Sequence, residues 1–284
     1  MNYRHGFHAG NHADVLKHAV LGRILEHLKR KEKAFRVIDT HAGPGFYDLR
    51  SDMAARSGEW QGGIGALFAA DPGEAEKALL GPLFEAVAAA NPKGGLKFYP
   101  GSPWITRHLL RVQDRLTAIE LHPQDAKSLK TLFAGDFQVR VIELNGWLAL
   151  KAQLPPKEKR GLVLVDPPFE EPGEFGRLVD GLVQAHDRWP GGTYALWYPL
   201  KDRSEAAAFR RALRETGIAK ILDIELSLRG PSPELRLDGS GVIVVNPPHT
   251  LEADMRALLP VFAQAMALGP GAGWTLEWLA GEGA

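Results

Sequence analysis

Gly161-Leu162-Val163-Leu164-Val165-Asp166-Pro167-Pro168-Phe169 is the stretch on which the fold turns. A short apolar, β-branched run halted by a rigid polar corner predicts a buried parallel strand that meets a site at its carboxyl end. Two prolines fix φ and remove backbone donors, so the carbonyls beside them can only accept hydrogen bonds. With the Asp166 carboxylate, the corner is a cluster of acceptors suited to an amine. Phe169 offers a flat face on which a planar base can stack. An exocyclic NH2 on an aromatic ring fits such a corner.

An Asp-Pro-Pro turn can also do no more than end a strand, and the chain carries its own control. Val242-Ile243-Val244-Val245-Asn246-Pro247-Pro248-His249 repeats the pattern. Asparagine would serve as an acceptor too. The fourth residue separates the copies, since His249 is a poorer stacking surface than Phe169. Only the first copy follows a cofactor-like signal, so Asp166 is read as the site and Asn246 as a strand terminator.

That signal is Phe35-Arg36-Val37-Ile38-Asp39-Thr40-His41-Ala42-Gly43-Pro44-Gly45. A short strand runs into a Gly-x-Gly loop that lets backbone approach a ligand closely. The third glycine of a dinucleotide fingerprint is missing, and no Gly-Lys-Ser/Thr of a phosphate loop follows. A loop built for close approach but not for phosphate suits an uncharged sugar and a cationic sulfonium, as in S-adenosyl-L-methionine. Leu116-Thr117-Ala118-Ile119-Glu120 then puts a carboxylate at a strand end, where it can accept both ribose hydroxyls. Val139-Arg140-Val141-Ile142-Glu143-Leu144-Asn145-Gly146 ends in an amide that can pair with an adenine edge. Each is an ordinary strand end by itself. Their order along successive strands lines one crevice of a doubly wound sheet and supports adenine N6 methylation.

The N-terminal Tyr3-Arg4-His5-Gly6-Phe7-His8-Ala9-Gly10-Asn11-His12-Ala13-Asp14-Val15-Leu16-Lys17-His18 is the most specific motif of all. Together with Asp39-Thr40-His41-Ala42-Gly43, Tyr99-Pro100-Gly101-Ser102-Pro103, Ala195-Leu196-Trp197-Tyr198-Pro199 and Asn246-Pro247-Pro248, it resembles the RlmJ family of bacterial 23S rRNA (adenine(2030)-N6)-methyltransferases. The resemblance implies a Rossmann-like class I fold and S-adenosyl-L-methionine as cofactor, with S-adenosyl-L-homocysteine as product and no metal. By resemblance His18, His41, Ser102, Glu120, Asn145 and Gly146 contact the cofactor, with Lys17 beside it and Gly43 in its loop. Asp166 binds cofactor and substrate amine and acts as proton acceptor; Pro167 and Phe169 hold the base, and Tyr3 touches the RNA. Two departures stand out. The family usually has tyrosine at Phe169, and aspartate at Asn145, so a phenolic hydrogen bond and a charged acceptor are lost.

Composition agrees. The 284 residues, 45% apolar, can bury a large core in one methyltransferase domain spanning 1–284, interrupted by an insertion. No run approaches the ~20 apolar residues of a membrane span, and no signal peptide is read at the start. Zero cysteines exclude disulfides and thiolate metal sites and fit a cytoplasmic enzyme. The expected partner is 23S rRNA, with a monomer and no obligate protein partner. A formal net charge of zero weighs against nucleic acid. Two basic sets answer it: Lys29-Arg30-Lys31-Glu32-Lys33, which a helix C-terminus would also favour, and Arg107, Arg111 and Arg115, spaced as one helical stripe.

The first helix is predicted to start near Asn11 as cap, burying Leu16, Val20, Leu21, Ile24, Leu25 and Leu28, with Lys17 and His18 turned off that stripe. His8 and His12 raise a metal site, which the helix start near Asn11 disfavours. From 48 to 98 the strand signal vanishes, which predicts a small inserted helical subdomain; the resemblance places it above the active site, holding RNA. Later runs, ending in Trp274-Thr275-Leu276-Glu277-Trp278-Leu279 as an edge strand, suit a seven-stranded, mostly parallel sheet with one antiparallel strand. The rival readings are an adenine methyltransferase for DNA or another RNA, a glutamine-amide methyltransferase, a non-catalytic RNA-binding protein on this fold, and, more distantly, a metal-dependent hydrolase.

Overall fold

Gly161–Val165 forms a strand buried along its whole length. Leu162 and Leu164 join one core cluster, Val163 and Val165 the other. Alternate side chains of a strand point to opposite faces, so helices must cover both sides of the sheet. The computed structural model, which describes residues 5–232 and 234–281, shows this arrangement. Tyr3 lies outside the described residues.

After a 3-10 turn (His5–Phe7) come α1 (His12–Lys29), β1 (Arg36–Asp39), β2 (Phe46–Asp48), α2 (Asp52–Ser57), a π turn (Gln61–Gly65), α3 (Ala66–Ala69) and α4 (Glu74–Ala90). Then follow β3 (Phe98–Pro100), α5 (Ser102–Leu109), β4 (Arg115–Glu120), α6 (Pro123–Leu132), β5 (Val139–Glu143), α7 (Gly146–Ala152) and β6 (Gly161–Val165). The chain closes with α8 (Glu174–Arg188), β7 (Thr193–Pro199), α9 (Arg203–Glu215), β8 (Ile221–Ser227), β9 (Gly239–Val245), α10 (Leu251–Ala265) and β10 (Gly273–Ala280).

The main sheet has eight strands in the order β10-β8-β9-β7-β6-β1-β4-β5, one more than the seven expected. β1, β4, β5, β6 and β7 are mutually parallel. β9 runs against β7 and β8, and β10 against β8, so two strands oppose the rest instead of one. The extra reversal arises because β10 folds back on the edge of β8. β2 and β3 form a separate antiparallel ribbon.

The chain steps outward from β1 to β4 and β5, then returns to β6 on the other side of β1. This reversal opens a crevice at the carboxyl ends of β1 and β6, the usual ligand position in such sheets. α1 covers one face of the sheet; its Leu16, Val20, Leu21, Ile24, Leu25 and Leu28 are all buried, and Asn11 caps it by accepting the Ala13 and Asp14 amides. α7, α8 and α9 cover the other face. Between β2 and β3 the chain is helical, and Ile64, Leu67, Leu80, Leu83 and Val87 share the core cluster of α1.

Arg107, Arg111 and Arg115 do not form a helical stripe. α5 stops at Leu109 because Leu110 is extended, and Arg115 already opens β4. The Arg111 guanidinium donates to the Lys29, Lys31 and Lys33 carbonyls, tying the two basic sets together beside the first residues of β1 and β4. They stand at the amino edge of the sheet, opposite the crevice. So does the second Asx-Pro-Pro: Val245 pairs with Tyr194 near the start of β7, and the Asn246 amide donates to the Pro190 and Gly192 carbonyls.

Candidate active site

A cavity of about 570 Å³ fills the crevice, within the range typical of small-ligand sites. Its wall includes Lys17, His18, His41, Gly43, Ser102, Glu120, Asn145, Gly146 and Asp166. Residues from six separate segments thus meet in one place. Pro168 also lines the cavity, whereas Pro167 and Phe169 stand beside it. The Phe169 ring packs edge-on against Phe175 at 4.9 Å and Trp197 at 5.7 Å, with its own φ at 51°.

The loop after β1 is pinned on both sides. The Thr40 amide donates to the Leu164 carbonyl of β6, and the Ala42 amide to the Ile119 carbonyl of β4. Gly43 has φ of 61°, and a β-carbon there would lie 2.6 Å from the Tyr47 hydroxyl. Its amide donates to Glu120 Oε2 at 2.7 Å, while the His122 amide donates to Glu120 Oε1 at 2.7 Å. Each carboxylate oxygen keeps further lone-pair capacity for a hydroxyl. Burial raises the Glu120 pKa against the lowering pull of the His122 and Gly43 amides.

Asn145 caps α7, its Oδ1 accepting the Trp147 amide at 2.9 Å, and lines the cavity at that helix N-terminus. Gly146 is required by contact: a β-carbon would sit 2.4 Å from the Thr40 carbonyl and 2.8 Å from the His41 ring. His41 receives or donates a hydrogen bond through Nδ1 to Thr40 Oγ1 at 2.9 Å, and burial lowers its pKa to about 4, so the ring is neutral.

On the opposite wall, α1 contributes a buried ionic triad. Lys17 Nζ donates to Asp14 Oδ1 at 2.8 Å and to Asp166 Oδ2. Burial alone would lower the Lys17 pKa, but the two carboxylates outweigh it and the net direction is upward. Asp14 also accepts the Gly10 amide at 2.9 Å, and His18 Nδ1 meets the Tyr99 hydroxyl at 2.8 Å. Ser102 Oγ donates to Asp39 Oδ2 at 2.6 Å; burial raises the Asp39 pKa to about 7.

Asp14 and Asp39 belong to this site, although the motif reading assigned them no role. Asp39 could not be found by local spacing, because its partner Ser102 lies on another element, whereas Asp14 pairs with Lys17 one turn along α1, a spacing that by itself marks only an ordinary helical ion pair. The cavity wall carries Asp14, Glu120, Asp125, Asp166, Glu170, Glu171 and Glu174 against only two permanent cations, Lys17 and Arg177. Such a wall suits a cationic ligand and repels phosphate. His8 and His12 do not converge: His8 Nδ1 pairs with Glu59 at 2.9 Å, and His12 is buried at the start of α1. Among the described residues no cluster of metal-ligating side chains occurs.

The sequence model of a family described as ribosomal RNA large subunit methyltransferase D, RlmJ, matches residues 32–280. This chain belongs to the RlmJ family. Proteins called ribosomal RNA large subunit methyltransferase J from Escherichia coli K12 and Haemophilus influenzae are 44% and 42% identical to it, each over 99% of this chain and 100% of the relative. A crystal structure of a Legionella pneumophila protein superposes with a TM-score of 0.87 at 32% identity, covering 95% of this chain and 98% of the other. The RlmJ-family chain is therefore an enzyme with the Rossmann-like methyltransferase fold, and family membership implies use of S-adenosyl-L-methionine. Among the described residues no helix is long and apolar enough to cross a membrane.

Proposed function

We propose that this RlmJ-family enzyme methylates N6 of one adenine, at position 2030, in 23S rRNA. The Asp166 corner carries the reading: an acceptor cluster at the switch point of the sheet, held by a buried lysine and facing an acidic cavity. The residues present fit the cofactor. Gly43 and Gly146 allow close backbone approach, Glu120 has free acceptor capacity for ribose hydroxyls, and the carboxylates favour a sulfonium. His18, His41, Ser102, Asn145 and Lys17 complete the cofactor contacts, and Tyr3 contacts the RNA.

Bound S-adenosyl-L-methionine supplies an electrophilic methyl group and leaves as S-adenosyl-L-homocysteine. Lys17 occupies Asp166 Oδ2, which fixes the carboxylate and leaves Oδ1 to accept one N6 proton of the target. The Pro167 carbonyl accepts the other. Held this way, the N6 lone pair leaves conjugation with the ring and points at the cofactor side of the cavity. Phe169 stacks on the base, restoring part of the stacking lost when the adenine is drawn from the RNA. Asp166 takes the proton after transfer, when the methylated nitrogen is acidic. Proximity and orientation supply most of the rate.

The helical stretch 48–98 is an insertion packed in the core cluster of α1, and none of its residues lines the cavity. It holds five cations (Arg50, Arg56, Lys77, Lys93, Lys97) against seven carboxylates (Asp48, Asp52, Glu59, Asp71, Glu74, Glu76, Glu85), a net charge of −2. It therefore offers phosphate no net positive charge. The enzyme works in the cytoplasm as a monomer, without metal. Asp166→Ala should abolish methyl transfer while thermal stability and cofactor affinity, followed by calorimetry, show a folded protein. Retained turnover in that variant contradicts the assignment.

A further inference from the structure

An adenine drawn out of an RNA stack leaves a gap, and the acidic cavity wall offers nothing to hold the backbone around it. The connection between β8 and β9 supplies both needs. Ser227 pairs with Gly239 at its base, and Pro199 with Ser240, so residues 228–232 and 234–238 rise from the same carboxyl edge as Asp166. β9 is two strands from β6, roughly 10 Å by ordinary strand spacing. The base also lies against the first turn of α1, where the buried His12 sits beside the backbone of Gly239.

Asp238, only 1% exposed, anchors this segment. Its Oδ2 accepts the Ser232 amide at 2.8 Å, and its Oδ1 lies 3.4 and 3.3 Å from the Nε atoms of Arg229 and Arg236. The Gly230 amide donates to the Pro270 carbonyl at 2.8 Å. Lys201 and Arg203 stand on the same edge, just after β7. Opposing them, Asp238 is buried and Asp202 is engaged in capping α9, which leaves Glu234 as the exposed acid of the segment. Beside Arg236, Leu235 is 80% exposed, more than any other large apolar side chain among the described residues. A bare leucine flanked by anchored arginines is costly in water and has a use against nucleic acid. Proteins that unstack bases insert apolar wedges of this kind while cations grip the adjoining phosphates.

We propose that the segment 228–238 is a base-displacing finger: Arg229 and Arg236, with Lys201 and Arg203, dock on the rRNA backbone, and Leu235 enters the stack that the target adenine leaves. This rests on the adenine-N6 reading of the Asp166 site. Leu235 is exposed and outside the catalytic cavity, so its substitution leaves the fold intact. With the full chain and unmodified 23S rRNA, Leu235→Ala should lower kcat/KM about tenfold or more, since base displacement is worth a few kcal/mol. Leu235→Met should restore most of the rate, and Tm and S-adenosyl-L-methionine affinity should stay at wild-type values. Arg236→Glu should weaken binding of the same RNA in gel shifts and flatten its salt dependence. Wild-type rates in Leu235→Ala overturn the wedge, as does an equal loss in Leu235→Met. If the wild-type chain methylates no adenine, the Asp166 reading fails instead, and the gel shift still judges the docking surface: unchanged RNA affinity in Arg236→Glu overturns it.

Discussion

Lys17 holds two carboxylates from different parts of the chain on one ammonium that is only 4% exposed. Removing one member of such a group leaves buried charges unpaired, at a cost of about 3–5 kcal/mol. Lys17→Met should therefore lower Tm by roughly 10 °C and suppress methyl transfer more than cofactor binding, measured by thermal denaturation and calorimetry on the same sample. Gly146→Ala should lower both Tm and cofactor binding. Its β-carbon would collide with backbone at Thr40, so cofactor affinity should fall at least about tenfold and Tm by roughly 5 °C. At this scale the sequence was legible where chemistry sits beside a strand end, as at Glu120, Asn145 and Asp166. Asp39 and Ser102 are 63 positions apart, and their hydrogen bond exists only once β1 and α5 are packed.

Elements were legible according to how fully they are buried. β6 is apolar on both faces and α1 has a clear stripe, so both follow from the sequence pattern. β2 and β3 are three residues each, too short for any periodicity, and became visible only as a ribbon. The arginine stripe failed because spacing alone cannot reveal that α5 ends at Leu109. The start of α1 carries its own pH dependence. Burial lowers the His12 pKa from 6.5 to about 4, so the unfolded chain binds the extra proton first as pH falls. Stability is thus full above about pH 6.5 and declines toward pH 4, by about 3 kcal/mol for this group. His12→Gln should flatten the fall in Tm over that window; an unchanged slope would assign it to other groups.

For the whole molecule, the sheet and its switch point place the cofactor loop, the ribose carboxylate and the Asp166 corner around one cavity, as their order in the chain implied. β10 was readable as an edge strand from its alternation, but the eighth place and second reversal were not, because pairing direction at a sheet edge leaves no local mark on the strand. The zero net charge misled in a specific way. One set of cations gathers at the amino edge of the sheet and another beside the acidic site at the carboxyl edge, so the total says little about the RNA surface. The most direct measurement is tritiated methyl transfer from S-adenosyl-L-methionine to protein-free 23S rRNA lacking its own methylation, followed by nucleoside analysis. N6-methyladenine at a single position is the predicted product. No incorporation, with the cofactor still bound, would contradict the proposed acceptor.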